Sequence, residues 1–336
     1  MSCLKTSIIV LILTALMGVT PLLAQSAFSY FENAAAGTVY PARLKAEVGY
    51  LCDSLCGGRA SGTPGGVLAS RWVQRQFEKS KLAPLADSSY YLLCPSQDST
   101  CLIHSVAGIL YPKQRREAGY VVICAHSDAL GSLGGRLFPG ADSNASGTVA
   151  VTSLARMFTS RKTLGTSPSC PLIFVVFDGK EKGSAGARNF ASLLKEEALT
   201  DAESGKPIRE KDIRMLVNID QVGATLSPVH ADRKDYLIML GNERLKGDAQ
   251  AARDLVHHPE CKLDLCFDYY GSKSFTEVFY HLADRSAFKD SPFPLLYFTS
   301  GITFSNNKPS DNAESLDYEV FCRRIRFVFH WLCRFV

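Results

Sequence analysis

Short apolar runs alternate with longer stretches of helical periodicity along most of the chain. Five apolar runs bounded by turn residues predict buried strands, and they lie at residues 119–125, 172–177, 215–219, 236–240 and 295–299. Amphipathic spacing predicts helices at residues 40–56, 67–82, 146–159, 186–198, 247–256 and 317–333. Strands that alternate with helices are typical of an α/β protein. We therefore expect a three-layer sandwich around a central mixed, largely parallel sheet.

The amino-terminal segment differs from the rest of the chain. Lys5 precedes an apolar run at residues 8–24, and small residues follow near position 25. This arrangement predicts a bacterial signal peptide over residues 1–25 and a secreted or periplasmic protein without membrane contact after cleavage. An uncleaved amino-terminal anchor is the alternative. No linker or repeat interrupts residues 26–336, which we interpret as one domain.

Charge and cysteine content narrow the classes of function. Lys and Arg number 37 against 33 for Asp and Glu, and the basic residues are scattered, so we expect no nucleic-acid partner. In an exported protein, Cys94 with Cys101 and Cys261 with Cys266 could close small disulfide loops. Cys52/Cys56 and Cys322/Cys333 could pair locally or elsewhere, so connectivity stays open. The chain lacks two CxxC pairs, which argues against a structural zinc site.

Candidate metal ligands follow the ends of the predicted strands. His126 and Asp128 come directly after the first strand, and Asp142 lies in a loop before a helix. Glu181 follows the second strand and Asp220 follows the third. In parallel sheets the ligand site lies beyond the carboxyl ends of the strands, so these side chains should share one face. Imidazole and carboxylate ligands together suit zinc.

Four ordered motifs make the pattern specific. They are AHSD at residues 125–128, PGADSNASG at 139–147, FDGKEKG at 177–183 and NIDQVG at 218–223. GRASGT at 58–63 lies upstream, and KPSDN at 308–312 with DYE at 317–319 lies downstream. In these motifs the chain resembles metallopeptidase family twenty-eight, which contains bacterial zinc aminopeptidases and, as relatives, glutaminyl cyclases. The resemblance covers nearly all of residues 26–336.

The resemblance implies a set of site residues. Family enzymes use two zinc ions bridged by an aspartate, with a glutamate as general base. By this resemblance His126, Asp142 and Asp220 would hold one ion, with Asp142 as the bridging carboxylate. Asp128 would orient the imidazole of His126, as carboxylates behind metal-bound histidines do. Glu181 would be a ligand of the second ion.

The second half of the site departs from the family pattern. Lys180 stands at the general-base position, and Asn307 stands where the family has a metal-binding histidine. Arg285 replaces a further family histidine. An ammonium cannot accept a proton from water unless its pKa falls by several units, and it repels a nearby divalent cation. A cation at Lys180 could instead pair with Glu181. We therefore expect at most one zinc ion.

Three functions remain open at this stage. The first is an impaired or noncatalytic relative of the aminopeptidases that keeps a cleft for a peptide or an amino-terminal ligand. The second is an active mononuclear zinc aminopeptidase, and the third, disfavoured by Lys180, is a glutaminyl cyclase. Aromatic residues between 267 and 280 could line such a cleft or form ordinary core. The oligomeric state cannot be predicted.

Overall fold

A nine-stranded mixed sheet organises the described part of the chain. The computed structural model describes residues 30–86, 88–225, 233, 235–241, 247–269 and 271–336. The strands are β1 (Ala83–Pro84), β2 (Tyr91–Pro95), β3 (Leu102–Leu110), β4 (Tyr120–His126), β5 (Gly131–Leu133), β6 (Arg136–Phe138), β7 (Leu172–Phe177), β8 (Ile213–Ile219), β9 (Tyr236–Leu240), β10 (Asp264–Cys266) and β11 (Leu295–Thr299). Strands β5 and β6 form a separate hairpin.

The central strands are parallel and the flanking strands are mixed. The sheet order is β1-β3-β7-β4-β8-β11-β9-β10, and β2 pairs with β3. Strand β4 is parallel to both β7 and β8, and β8 is parallel to β11. Strand β3 is antiparallel to β7, and β9 is antiparallel to β11. The predicted mixed sheet is confirmed, and its four central strands, β7, β4, β8 and β11, are parallel to one another.

Helices cover both faces of the sheet and complete three layers. They are α1 (Pro41–Cys52), α2 (Pro64–Lys79), α3 (Ser146–Leu164), α4 (Ala185–Lys195), α5 (Asp248–Leu255), α6 (Lys273–Leu282) and α7 (Tyr318–Leu332). Residues 30–36 are also helical. Alternate residues of β4 enter different cores: Ile123 packs with α1, α2, α3 and α7, whereas Val122 packs with α4. A strand buried on both faces has the continuous apolar sequence seen here.

The structure corrects the expected disulfide loops and does not describe the expected signal peptide. The ten described cysteines are free thiols, so the predicted loops at Cys94/Cys101 and Cys261/Cys266 are not closed. Some of these thiols donate hydrogen bonds to nearby acceptors; for example, Cys266 Sγ donates to Asp268 Oδ1 (3.3 Å). The predicted signal peptide lies outside the described residues. In the part that is described, no helix is both long and apolar enough to cross a membrane.

Candidate functional site

His126 is the last residue of β4, at the carboxyl edge of the sheet, and its imidazole lies between the carboxylates of Asp128 and Asp220. Its Nδ1 donates to the backbone oxygen of Asp128 (3.1 Å) and lies 3.6 Å from Asp128 Oδ1. Its Nε2 lies 3.5 Å from Oδ1 of Asp220, which follows β8. Burial opposes an imidazolium, but Asp220 and Asp128 outweigh it and raise the pKa of His126 well above its usual value.

Asp128 also fixes the turn that follows β7. Its two carboxylate oxygens accept hydrogen bonds from the backbone amides of Lys180 (3.0 Å) and Glu181 (2.9 Å). The carboxylate beside His126 therefore also positions the segment carrying Lys180 and Glu181. The role of Asp128 in orienting His126 stays a prediction.

The backbone around the site is tied together by Arg59, which is fully buried. Its guanidinium donates to the carbonyl oxygens of Ser127 (2.8 Å), Pro139 (2.6 Å) and Gly140 (2.7 Å). Arginine suits this role because its planar group presents five donors in a fixed geometry. The GRASGT segment therefore holds the turn after β4 against the loop at residues 139–147.

Lys180 and Glu181 point to different neighbours. The Lys180 ammonium donates to the carbonyl oxygen of Leu282 at the end of α6 and lies 3.7 Å from Asp284 Oδ1. The expected Lys180–Glu181 pair is therefore replaced by a Lys180–Asp284 pair, because the lysine side chain extends towards α6. The Glu181 carboxylate forms no hydrogen bond or ion pair with the described residues. Burial, with the nearby Asp128 carboxylate, raises the pKa of Glu181.

Asp142 is buried, and only one of its two carboxylate oxygens is hydrogen-bonded to the described residues. Its Oδ1 accepts hydrogen bonds from the amides of Gly223 (2.8 Å) and Ala224 (3.1 Å) and from Ser146 Oγ (3.0 Å). Burial, with the neighbouring Asp311 carboxylate, raises the pKa of Asp142 to about 7. Asp142 does not line the cavity described below, whereas the next residue, Ser143, does.

A cavity of about 190 Å³ lies at the carboxyl ends of the strands. It is lined by polar and charged residues and by aromatic and aliphatic ones. The polar and charged residues are His126, Ser143, Lys180, Glu181, Asp220, Gln221, Asn306 and Asn307. The aromatic and aliphatic residues are Tyr269, Phe279, Leu282, Ala283, Tyr297 and Ile302. The structure thus brings five predicted site residues together. Arg285 is not among the lining residues, and its Nη1 donates to the Tyr280 carbonyl oxygen (3.0 Å).

Sequence reasoning missed several residues of this cavity. Tyr297 is the only polar side chain within the apolar run of β11 before Thr299, a signal that could have pointed to it. Leu282 and Ala283 come from α6 and the turn after it, for which no helix was predicted. Of the aromatic residues between 267 and 280, Tyr269 and Phe279 line this cavity. Tyr270, from the same aromatic stretch, lies outside the described residues.

The chain belongs to peptidase family M28, whose model matches residues 105–332, more than half of the chain. A curated relative, the alkaline phosphatase isozyme conversion protein of Escherichia coli K12, is 25% identical over 177 residues. That match covers 49% of this chain and 47% of the relative, so the chain spans about half of the relative's length.

Solved structures of low sequence identity share the fold. The Legionella pneumophila LapA aminopeptidase superposes with a TM-score of 0.67 at 16% identity, covering 90% of this chain and 74% of that one. The Fimbriiglobus ruber glutaminyl cyclase superposes with a TM-score of 0.65 at 18% identity, covering 87% and 94%. At these identities the likeness concerns the fold alone.

The cavity presents only part of a zinc ligand set. Membership of the family makes zinc the expected metal, and of the predicted ligands His126, Glu181 and Asp220 line the cavity, with His126 Nε2 3.5 Å from Asp220 Oδ1. Asp142 does not line it, although its buried Oδ2 has no hydrogen-bond partner among the described residues, and Asn307 offers a neutral amide. Among the described residues, no three His, Cys, Asp or Glu side chains are arranged to hold a metal ion. Zinc is normally held by three or four such protein ligands.

Proposed function

We propose that this chain is a noncatalytic member of the M28 peptidase family and that its cavity receives the amino-terminal residue of a peptide. The observation that carries the proposal is the direction of Lys180, whose ammonium donates to the Leu282 carbonyl oxygen and lies 3.7 Å from Asp284. A group held as a donor in this way does not accept a proton from an attacking water. Loss of general-base assistance alone typically lowers a rate by about 10²- to 10⁴-fold.

The charges of the cavity support an amine as the ligand. The Glu181 carboxylate faces the cavity and makes no hydrogen bond or ion pair with the described residues. A ligand ammonium would supply a charge-assisted hydrogen bond to it. The rings of Tyr269, Phe279 and Tyr297 also line the cavity and add favourable contacts for a cation. A volume of about 190 Å³ suits a single residue better than a large ligand.

A second, more open groove supports a peptide rather than a free amine. It is lined by Gln97, Asp98, Glu181 and Lys182, so Glu181 forms a wall of both the cavity and the groove. A chain whose first residue occupies the cavity could continue past Glu181 into the groove. Its polar walls offer hydrogen-bond partners for a peptide backbone. Export after cleavage near residue 25 belongs to this proposal and depends on the apolar run at residues 8–24.

Calorimetric titration with leucinamide tests the proposal. We expect the wild type to bind leucinamide and not N-acetyl-leucinamide, because acetylation removes the ammonium. Glu181→Gln should weaken leucinamide binding by about tenfold or more, the worth of one charge-assisted hydrogen bond. Glu277→Gln, which changes an exposed carboxylate on α6, should bind like the wild type. Equal affinity for the acetylated ligand, or no effect of Glu181→Gln, would refute the amine site.

A further inference from the structure

Lys180 joins two segments that are remote in sequence at the cavity. Its side chain is 17% exposed, and it bridges from the turn after β7 to the end of α6. Leu282 is the last residue of α6, and a cation is favoured at the carbonyl end of a helix. Asp284 is 1% exposed, and neither of its carboxylate oxygens accepts a hydrogen bond from the described residues. The ammonium of Lys180 is its ion-pair partner.

The same ammonium lies in the field of the cavity carboxylates. Lys180, Glu181 and Asp220 all line this cavity, so the ammonium lies beside both carboxylates. Opposite charges at such short range attract one another strongly where water is excluded. Lys180 therefore already provides, from within the chain, a positive charge beside the carboxylates that a metal ion would otherwise neutralise.

We infer that the cavity works without a metal ion and that Lys180 supplies its fixed positive charge. This inference rests on the proposed noncatalytic function. The donors converging on the cavity fall short of a zinc ligand set, and an ammonium fixed to Leu282 and Asp284 repels a divalent cation next to Asp220. Lys180 also holds α6 over the cavity, so one side chain has an electrostatic and a structural role.

Removing the charge should change metal affinity and stability together. Lys180→Met removes the ion-pair partner of Asp284 and the positive charge beside Asp220 and Glu181. We expect this variant to melt at a lower temperature than the wild type, and to gain zinc affinity by about tenfold or more because the repulsion is gone. Added zinc should then restore part of its melting temperature. Lys180→Arg keeps the charge and should retain both the low zinc affinity and most of the stability.

Lys162→Met provides a matched control. Lys162 also donates its ammonium to a backbone carbonyl, that of Tyr111 (2.6 Å), but it does not line the cavity. This variant lacks one ammonium–carbonyl contact, yet its zinc affinity should equal that of the wild type. A gain in zinc affinity common to Lys180→Met and Lys162→Met would overturn the inference.

Zinc content, calorimetric zinc titration and thermal melting give the readouts. Wild-type protein purified without chelator should carry far less than one zinc ion per chain, and EDTA should leave its melting temperature unchanged. Stoichiometric zinc in the wild type, removed by EDTA with loss of stability, would overturn the inference. None of these measurements uses a peptide ligand. Failure of leucinamide to bind would therefore refute the proposed function while leaving the metal result to be judged by itself.

Discussion

Asp201 carries a buried carboxylate at the edge of the sheet opposite the cavity. It accepts hydrogen bonds from the hydroxyl of Tyr120, the first residue of β4, and from Arg115 (2.6 Å). The amides of Glu203 and Ser204 bind its other oxygen. Burial opposes ionisation, but these partners outweigh it and lower the pKa of Asp201 to about 2. The charged form is therefore stabilised in the folded chain.

This shift predicts a pH dependence of stability. Because the folded pKa is below the unfolded one, the contribution is fully present above about pH 4 and is lost as pH falls towards about 2. Asp201→Asn should lower the free energy of unfolding by about 2 kcal/mol at neutral pH and flatten its decline in acid. Urea unfolding across that range checks both effects. Asp290→Asn, at an exposed position, is the control, and an equal acid profile for both variants would contradict the assignment.

The start of α3 depends on a close approach that only glycine permits. A Cβ at Gly147 would lie 2.6 Å from the carbonyl oxygen of Ile219, the last residue of β8. The Gly147 amide donates to Asn144 Oδ1 (2.8 Å), which also accepts from the Gln221 amide (3.0 Å). The loop before α3 and the loop after β8 are thereby fixed against each other next to the cavity.

Alanine substitutions in two helices should therefore have opposite effects. Gly147→Ala should destabilise the fold by about 2 kcal/mol, because the steric conflict exceeds the gain in helix propensity. Gly49→Ala in α1, where an added Cβ meets nothing within 4 Å, should stabilise it by about 0.5–1 kcal/mol. Urea denaturation of both variants measures the difference. Two changes of the same sign would show that backbone approach at Gly147 does not control packing here.

The elements that the sequence predicted well are those with a continuous burial pattern. Strands β4, β7 and β8 are apolar because both of their faces are covered. Strand β3 was not predicted, because His104, Ser105 and Gly108 interrupt its apolar pattern. Helix α6 was missed because Phe275, Val278 and Leu282 are exposed, so that its apolar residues do not mark a buried face. Strand β3 is defined by its pairing with β2 and β7. Helix α6 is placed by its position at the cavity, where Phe279 and Leu282 are lining residues.

The candidate site was predictable as far as the ends of the parallel strands. His126, Glu181 and Asp220 follow three neighbouring strands, and their common edge follows from the α/β pattern. The choice between Asp142 and Ser143 was not predictable from spacing. In the loop at residues 140–147 the backbone determines which side chain faces the cavity, and the amides of Gly223 and Ala224 bind one oxygen of the Asp142 carboxylate.

The complete molecule brings distant parts of the chain to one cavity. The sheet order places β8 between β4 and β11, so His126, Asp220 and Tyr297 meet although they are far apart in sequence. Helix α6 contributes Phe279 and Leu282 to the lining of the cavity. The domain boundaries at 1–25 and 26–336 stay predictions. Our central proposal is that this assembled cavity keeps the architecture of the family and has lost its catalytic chemistry.

The most direct test is the initial rate of wild-type protein on an aminoacyl chromogenic substrate, measured with EDTA and with added zinc. We predict a rate equal to that of buffer in both conditions, because Lys180 is held by Leu282 and Asp284 and, among the described residues, no three His, Cys, Asp or Glu side chains are arranged around an ion. Zinc-dependent turnover that is abolished by His126→Ala would contradict this account and would establish an active metallo-aminopeptidase.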